Sequence, residues 1–333
     1  MPSSLATTPL PPATSPSSAR PQRPSPRLAV LDGLRLCAAL FVVLFHYVGM
    51  SPSHWGTPLD TTFPHLHPIA AYGWTGVQLF FLISGFVICM SSWGRRLGDF
   101  FISRVVRLYP AFWFAVIATT TVVTLTPLLP VLVERHTLSE VLVNLTMVHE
   151  TFGITHVDPP YWTLWVEMRF YLLFAIVVWL GVNYQRVVTF CGLWTIGAII
   201  ASGAKEPVLE YIFMPKHAPF FIAGIAFYLI HRFGPNLLLW GIVGVSWAHG
   251  LHHVRMHMNQ HSWVVVAAII TFYFTLLAAI ALGLFSRPGK HVTPQVAGKK
   301  PRRGLLIIAG SLSYPLYLFH QSIGWIVIER VRL

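Results

Sequence analysis

The chain has 333 residues, of which 55% are hydrophobic and only 10% are charged, against roughly 25% charged in an ordinary soluble domain. This composition, with a mean hydropathy of +0.63, gives more apolar surface than one globular core can bury, so a soluble protein is excluded. Lys and Arg outnumber Asp and Glu 23 to 11. In a membrane protein this excess is expected in cytoplasmic loops that face anionic lipid, and it does not indicate a nucleic-acid partner.

The chain begins with a tail, residues 1–28, that is rich in Pro, Ser, Thr and Ala and is predicted to be disordered and cytoplasmic. The remainder, 29–333, is predicted to form an all-α transmembrane bundle. At about 20 apolar residues per crossing, it holds about nine spans. A short interfacial helix is expected at 138–149. The predicted spans are 29–50, 71–91, 108–130, 160–182, 187–203, 217–231, 236–252, 262–285 and 304–327.

The distribution of basic residues predicts the orientation. With the N-terminus inside, most Lys and Arg residues fall in the cytoplasmic loops, and the first outer loop, 51–70, contains none. We therefore expect a cytoplasmic N-terminus.

The first predicted span contains Arg35 and, eleven residues later, His46. Eleven residues of helix advance about 16.5 Å and end within about 20° of three full turns, so the two side chains share a face. Ionisable residues inside a span are costly and indicate a functional site. The alternative is that Arg35 extends to the inner interface and His46 lies near the outer one.

Four further stretches contain candidate residues. The small pair Ser84-Gly85 lies mid-span and predicts a close helix contact. Arg104 and Arg107 are one helical turn apart at the membrane surface, a spacing suited to phosphate, although lipid headgroups are an alternative ligand. Glu167 is two residues from Arg169, so the two do not face each other, and a carboxylate at membrane depth needs another partner. In the last span, Pro315 is expected to kink or open the helix.

Five stretches, in this order, resemble the acyltransferase-3 family, integral membrane enzymes that move acyl groups from cytoplasmic acyl-CoA to carbohydrates and other hydroxyl acceptors. Members usually have one more span than the nine predicted here. The stretches are Leu31-Asp-Gly-Leu-Arg35 with His46, Gly76 to Phe86, Arg104-x-x-Arg107-Leu-Tyr-Pro, Tyr161-Trp-Thr-Leu-x-x-Glu167-x-x-Phe-Tyr171, and Leu312-Ser-Tyr-Pro-Leu-Tyr-Leu-Phe-His320.

The resemblance implies roles for particular residues. His46 corresponds to the catalytic His and Arg35 to its partner, Glu167 to a polar residue lining the site, and Arg104 and Arg107 to the arginines that hold the CoA phosphates. It also implies acyl-CoA, with acetyl-CoA the first candidate, as the donor, and no metal. The expected partners are a carbohydrate or glycosylated small-molecule acceptor and membrane lipid, and the expected location is the bacterial inner membrane.

Two alternatives stay open. Intramembrane Arg, Glu and His also line ion and substrate paths, so a transporter or flippase of a metabolite or glycosylated metabolite is the alternative function. The second concerns histidines that recur every four residues, which could bind a metal if the segment is helical and otherwise form a polar loop. They are His249, His253, His257 and His261.

Overall fold

The computed structural model describes residues 26–50, 55–126, 135–256, 262–285 and 305–332. Within these ranges the regular structure is helical, and no strand occurs. Most of the predicted tail lies outside the described residues. In chain order the helices are α1 Pro26–Leu44, α2 Leu59–Thr62, α3 His67–Ala70, α4 Gly76–Ser92, α5 Leu97–Leu125, α6 Leu138–Asn144, α7 Trp162–Leu180, α8 Tyr184–Ala204, α9 Pro207–Phe213, α10 Ala218–Phe233, α11 Leu237–Met256, α12 Trp263–Ala281, α13 Leu305–Phe319 and α14 Ser322–Arg332.

Seven helical stretches of the described chain are long and apolar enough to cross a membrane, which confirms the all-α polytopic bundle. Helices also occupy the other two predicted positions, but α11 ends in a polar segment and 305–332 is divided into α13 and α14. The count of nine therefore stays a prediction. The short helix expected at 138–149 is α6. The seven stretches are Ala29–Gly49, His67–Ser92, Leu97–Leu125, Pro159–Leu180, Tyr184–Ala204, Pro207–Phe233 and Trp263–Ala281.

Helices α4 and α10 form the centre of the bundle and make its most extensive helix contact. A Cβ atom on Gly85 would lie 2.1 Å from the carbonyl oxygen of Phe221, and one on Gly224 would lie 2.1 Å from that of Leu82. Each glycine therefore lets the opposite backbone approach, and the close contact predicted at Ser84-Gly85 is confirmed. This contact fixes the depth of Ser84 in the bundle.

The last predicted span, 304–327, is not one continuous helix. Helix α13 continues through Pro315 and ends at Phe319, and α14 begins at Ser322, so the interruption follows the proline by one turn. The buried carboxylate of Asp158 accepts hydrogen bonds from Ser322 Oγ, at 2.9 Å, and from the Ser322 backbone N–H, at 3.3 Å. These bonds satisfy donors at the start of α14, which stabilises a new helix start there.

Candidate active site

A cavity of about 80 Å³ lies between α1, α4, α5, α7 and α13. One buried water needs about 10–15 Å³ on this measure, so the cavity has room for several small polar groups. Apolar side chains from α4 and α7 form much of its wall. Its polar lining includes Arg35, Ser84, Arg107, Glu167, Tyr171 and Tyr317.

The charged groups of this cavity are two guanidinium groups and one carboxylate. Glu167 Oε1 accepts a 2.7 Å hydrogen bond from Ser84 Oγ, so the carboxylate that lacked a partner in the sequence finds one on α4. Arg35 lies 3.8 Å from Asp32, one turn earlier on α1, and its side chain is 12% exposed. The cavity thus brings together three predicted site residues, Arg35, Arg107 and Glu167, from three different helices.

Arg104 and Arg107, predicted to act together, have different environments. Arg107 is exposed and lines the cavity. Arg104 is 6% exposed and does not line it. Its guanidinium donates to Ser91 Oγ at 3.1 Å and to Ser103 Oγ at 3.2 Å, and one nitrogen, Nη1, is buried without a hydrogen-bond partner among the described residues. Arg104 therefore links α5 to α4, while Arg107 is available to a ligand.

His46 does not line the cavity. Helix α1 changes to a π-helical turn over Phe45–Gly49, and His46 is in this turn. Its Nδ1 is 2.9 Å from Nε2 of His320, and the ring centroids are 4.9 Å apart. The Tyr317 ring, which does line the cavity, lies 5.6 Å from the His320 ring. Tyr317 and His320 thus connect His46 to the cavity wall.

His320 and Asp158 were missed as site residues. Tyr314, Tyr317 and His320 follow at three-residue spacing, which places polar side chains along one side of a helix end and was the available signal. The pairing of His46 with His320 spans 274 positions, so spacing could not reveal it. Asp158 is fully buried, and burial raises its pKa to about 7 despite the hydrogen bonds from Ser322. It positions the start of α14, two residues after His320.

The histidine series continues α11, so the segment is helical as far as Met256. His249 Nε2 and His253 Nε2 are 3.1 Å apart, and His253 Nε2 is 2.7 Å from Ser202 Oγ. His257 and His261 lie outside the described residues. In the part of the chain that the structure describes, no group of three His, Cys, Asp or Glu side chains could hold a metal ion.

The structure thus holds an imidazole pair, two guanidinium groups and a carboxyl group in one region. Imidazole nitrogens can accept and donate protons, and guanidinium groups bind phosphate and carboxylate. Residues 28–333 match the family described as an acyltransferase domain, the acyltransferase-3 family. The chain belongs to this family. No curated protein and no solved structure matches it. The family match and the apolar helices make the protein an integral membrane acyltransferase.

Membership in the acyltransferase-3 family confirms the resemblance carried by the five motifs, and it favours group transfer over the transporter or flippase alternative. The matched range includes both members of the imidazole pair and the whole cavity lining. The ligand expected at these residues is therefore an acyl donor.

Proposed function

We propose that this acyltransferase moves a short acyl group, acetyl being the first candidate, from acyl-CoA to a hydroxyl of a carbohydrate or glycosylated small molecule. One observation carries the proposal: a cavity with Arg35, Arg107 and Glu167 in its wall is connected through Tyr317 and His320 to His46. Such a site combines a place for an anionic donor with a base for the acceptor.

The charge and shape of the donor suit a site in which the donor and the base occupy different regions. Coenzyme A is a polyanion with a long, narrow arm that ends in the thioester. The phosphates would stay near exposed Arg107 while the narrow arm passes Arg35 and extends toward His46. Arg104 lies one turn from Arg107 and supports this end of the site. Charge-assisted hydrogen bonds from guanidinium to phosphate are about twice as strong as neutral ones.

The proposed reaction uses His46 as general base. His46 takes the proton of the acceptor hydroxyl, whose oxygen forms a bond to the thioester carbonyl carbon. The carbon–sulfur bond then breaks, and the CoA thiolate leaves and receives the proton from His46. Imidazole suits this role because its ordinary pKa, about 6.5, is close to the working pH. Arg35 and Glu167 would line the path along which the narrow arm carries the thioester toward His46.

For the location we propose the bacterial inner membrane with a cytoplasmic N-terminus, since CoA is a cytoplasmic donor and residues 93–107, the α4–α5 connection and the start of α5, contain four arginines. Cysteine labelling tests this sidedness with Arg96→Cys and Lys205→Cys, both at exposed positions. Arg96→Cys should react from the cytoplasmic side and Lys205→Cys from the outer side. The reverse pattern would contradict the orientation.

Product analysis tests the proposed activity. The purified protein in lipid nanodiscs is incubated with deuterated acetyl-CoA and a panel of glycans and glycosylated metabolites, and products are identified by mass spectrometry. We expect an acceptor that gains the deuterated acetyl group, and no such product with His46→Ala. Equal product with His46→Ala would contradict the role of His46. Movement of an unmodified glycan across vesicles, without any acetylated product, would favour the flippase instead.

A further inference from the structure

In the His46–His320 pair, the hydrogen-bond partners of the ring nitrogens determine which nitrogens carry a hydrogen. His320 Nδ1 is 2.8 Å from the backbone carbonyl oxygen of Tyr317. A carbonyl oxygen can only accept, so His320 Nδ1 must carry a hydrogen. In a neutral imidazole the other nitrogen, Nε2, is then an acceptor.

The hydrogen on His320 Nδ1 also determines which nitrogen of His46 carries a hydrogen. His320 Nε2 is 2.9 Å from His46 Nδ1, and a hydrogen bond between them needs one hydrogen. Since His320 Nε2 has none in the neutral pair, His46 Nδ1 donates. His46 Nε2 is therefore left without a hydrogen, as a base. The chain of contacts from the Tyr317 carbonyl through both rings thus selects one of the two tautomers of His46.

We propose that His320 is a positioning residue that fixes the tautomer and orientation of His46, so that His46 Nε2 is the nitrogen that takes the acceptor's proton. The inference rests on the proposed function and adds to it a residue and an atom. When Nε2 has taken the proton, His46 is an imidazolium whose Nδ1–H still points at the lone pair of His320 Nε2. The proton then passes from His46 Nε2 to the departing thiolate, and the pair returns to its starting state.

The surroundings hold His320 in the position that this role needs. It is 4% exposed and lies between α13 and α14, where the backbone is anchored from several sides. Tyr47 donates a hydrogen bond to the His320 backbone carbonyl. Tyr161 donates to the Leu318 carbonyl at 3.2 Å, and Asp158 accepts from Ser322. Because these bonds hold the backbone around His320, its imidazole needs little reorganisation when His46 changes charge.

Two substitutions at His320 separate positioning from packing. In His320→Gln the longer side chain can place its carbonyl oxygen near the position of the imidazole Nε2, where it can accept from His46 Nδ1. In His320→Asn the amide can still donate to the Tyr317 carbonyl but is too short to reach His46. We expect His320→Asn to lower kcat by about 10²-fold and His320→Gln to stay within about tenfold of wild type. The KM for acyl-CoA should be unchanged in both, as should the melting temperature.

A purely structural role for His320 predicts the opposite order, because only His320→Asn retains the bond to Tyr317. The inference is overturned if His320→Asn keeps a kcat within a few-fold of wild type, or if His320→Gln is as slow as His320→Asn. It is also overturned if donor KM rises while kcat stays constant. Acetyl transfer by wild type with loss in His46→Ala, together with an active His320→Asn, would remove this inference and leave the proposed function intact.

A second measurement does not depend on activity. Histidine labelled with ¹⁵N is incorporated into wild type and into His46→Ala, and the difference between their spectra at neutral pH gives the His46 signals. We expect a protonated Nδ1 and an unprotonated Nε2. The opposite tautomer would overturn the inference even if wild type acetylated no member of the acceptor panel, an outcome that by itself contradicts the proposed function.

Discussion

Arg104 and Arg107 belong to one motif but differ in exposure and in contacts. Arg107 is exposed on the cavity side, whereas Arg104 is buried against α4 and lies within 6.0 Å of the Phe100 and Tyr171 ring centroids. The cavity position of Arg107 supports a donor-binding role, and the contacts of Arg104 are those of a residue that joins two helices.

We expect Arg107→Ala to raise the KM for acyl-CoA at least about tenfold, because a hydrogen bond to a charged group contributes about 1.5–3 kcal/mol. The KM for the acceptor should change little. Arg104→Ala should instead lower the melting temperature, because it removes the bonds to Ser91 and Ser103. Steady-state kinetics and thermal melting of both variants make the comparison. Equal rises of donor KM at equal stability would mean that both arginines contact the donor.

The sequence predicted most of the residue types in the site but not all of their contacts. Intramembrane charge singled out Arg35 and Glu167, since such residues are costly in lipid, and both line the cavity. Ideal helix geometry related Arg35 to His46, but it could not include the π-helical turn that contains His46. The contacts with His320 and Ser84 depend on how separate helices pack, which spacing along one helix does not specify.

At the scale of elements, the contact of α4 with α10 depends on two glycines that face each other's backbone. A methyl group at Gly85 would meet the Phe221 carbonyl at a distance that no real side chain shows, so the helices would have to separate. Such overpacking costs about 1–3 kcal/mol or more. The separation would also displace Ser84 and its bond to Glu167.

We therefore expect Gly85→Ala to reduce the melting temperature and the acyl transfer rate together. The matched control is Gly241→Ala on α11, where no atom lies within 4 Å of the added carbon and alanine is the better helix former. Thermal melting in detergent and the transfer assay check both variants. A Gly85→Ala variant as stable as the control would contradict the close contact.

The start of α14 depends on a carboxyl group whose pKa burial raises from 3.8 to about 7. Between these values the folded protein keeps a proton on Asp158 that the unfolded chain has lost. Stability from this residue therefore falls as pH rises from about 4 to about 7, and changes little above that. The sign is opposite to that of a carboxylate stabilised by an ion pair.

Asp158→Asn tests this pH dependence, because asparagine can accept from Ser322 but does not titrate. We expect the melting temperature of wild type minus that of Asp158→Asn to decrease by several degrees as pH is raised from about 4 to about 7. Taking the difference removes the contributions of the other titrating groups, which both proteins share. A difference that is constant or increases over this interval would show that Asp158 is ionised throughout.

At the scale of the whole molecule, hydropathy predicted a helix at each of the nine positions because membrane spans must pair their backbone groups internally. Composition alone could not show whether the last position, 304–327, holds one helix or two. There a buried hydrogen bond that Ser322 donates to Asp158 stabilises a second helix start within one apolar stretch, and this bond joins distant parts of the chain. The same division places His320 beside His46, so the break that hydropathy overlooks is what completes the site.

The central claim is that one part of the site binds acyl-CoA while His46 performs the chemistry beside it. Equilibrium binding of acetyl-CoA and single-turnover transfer, measured on the same preparations of wild type and His46→Ala, test this claim most directly. We predict that His46→Ala binds acetyl-CoA with a Kd close to that of wild type and transfers the acetyl group about 10²–10⁴-fold more slowly. A transfer rate within a few-fold of wild type, at equal binding and equal stability, would contradict the account.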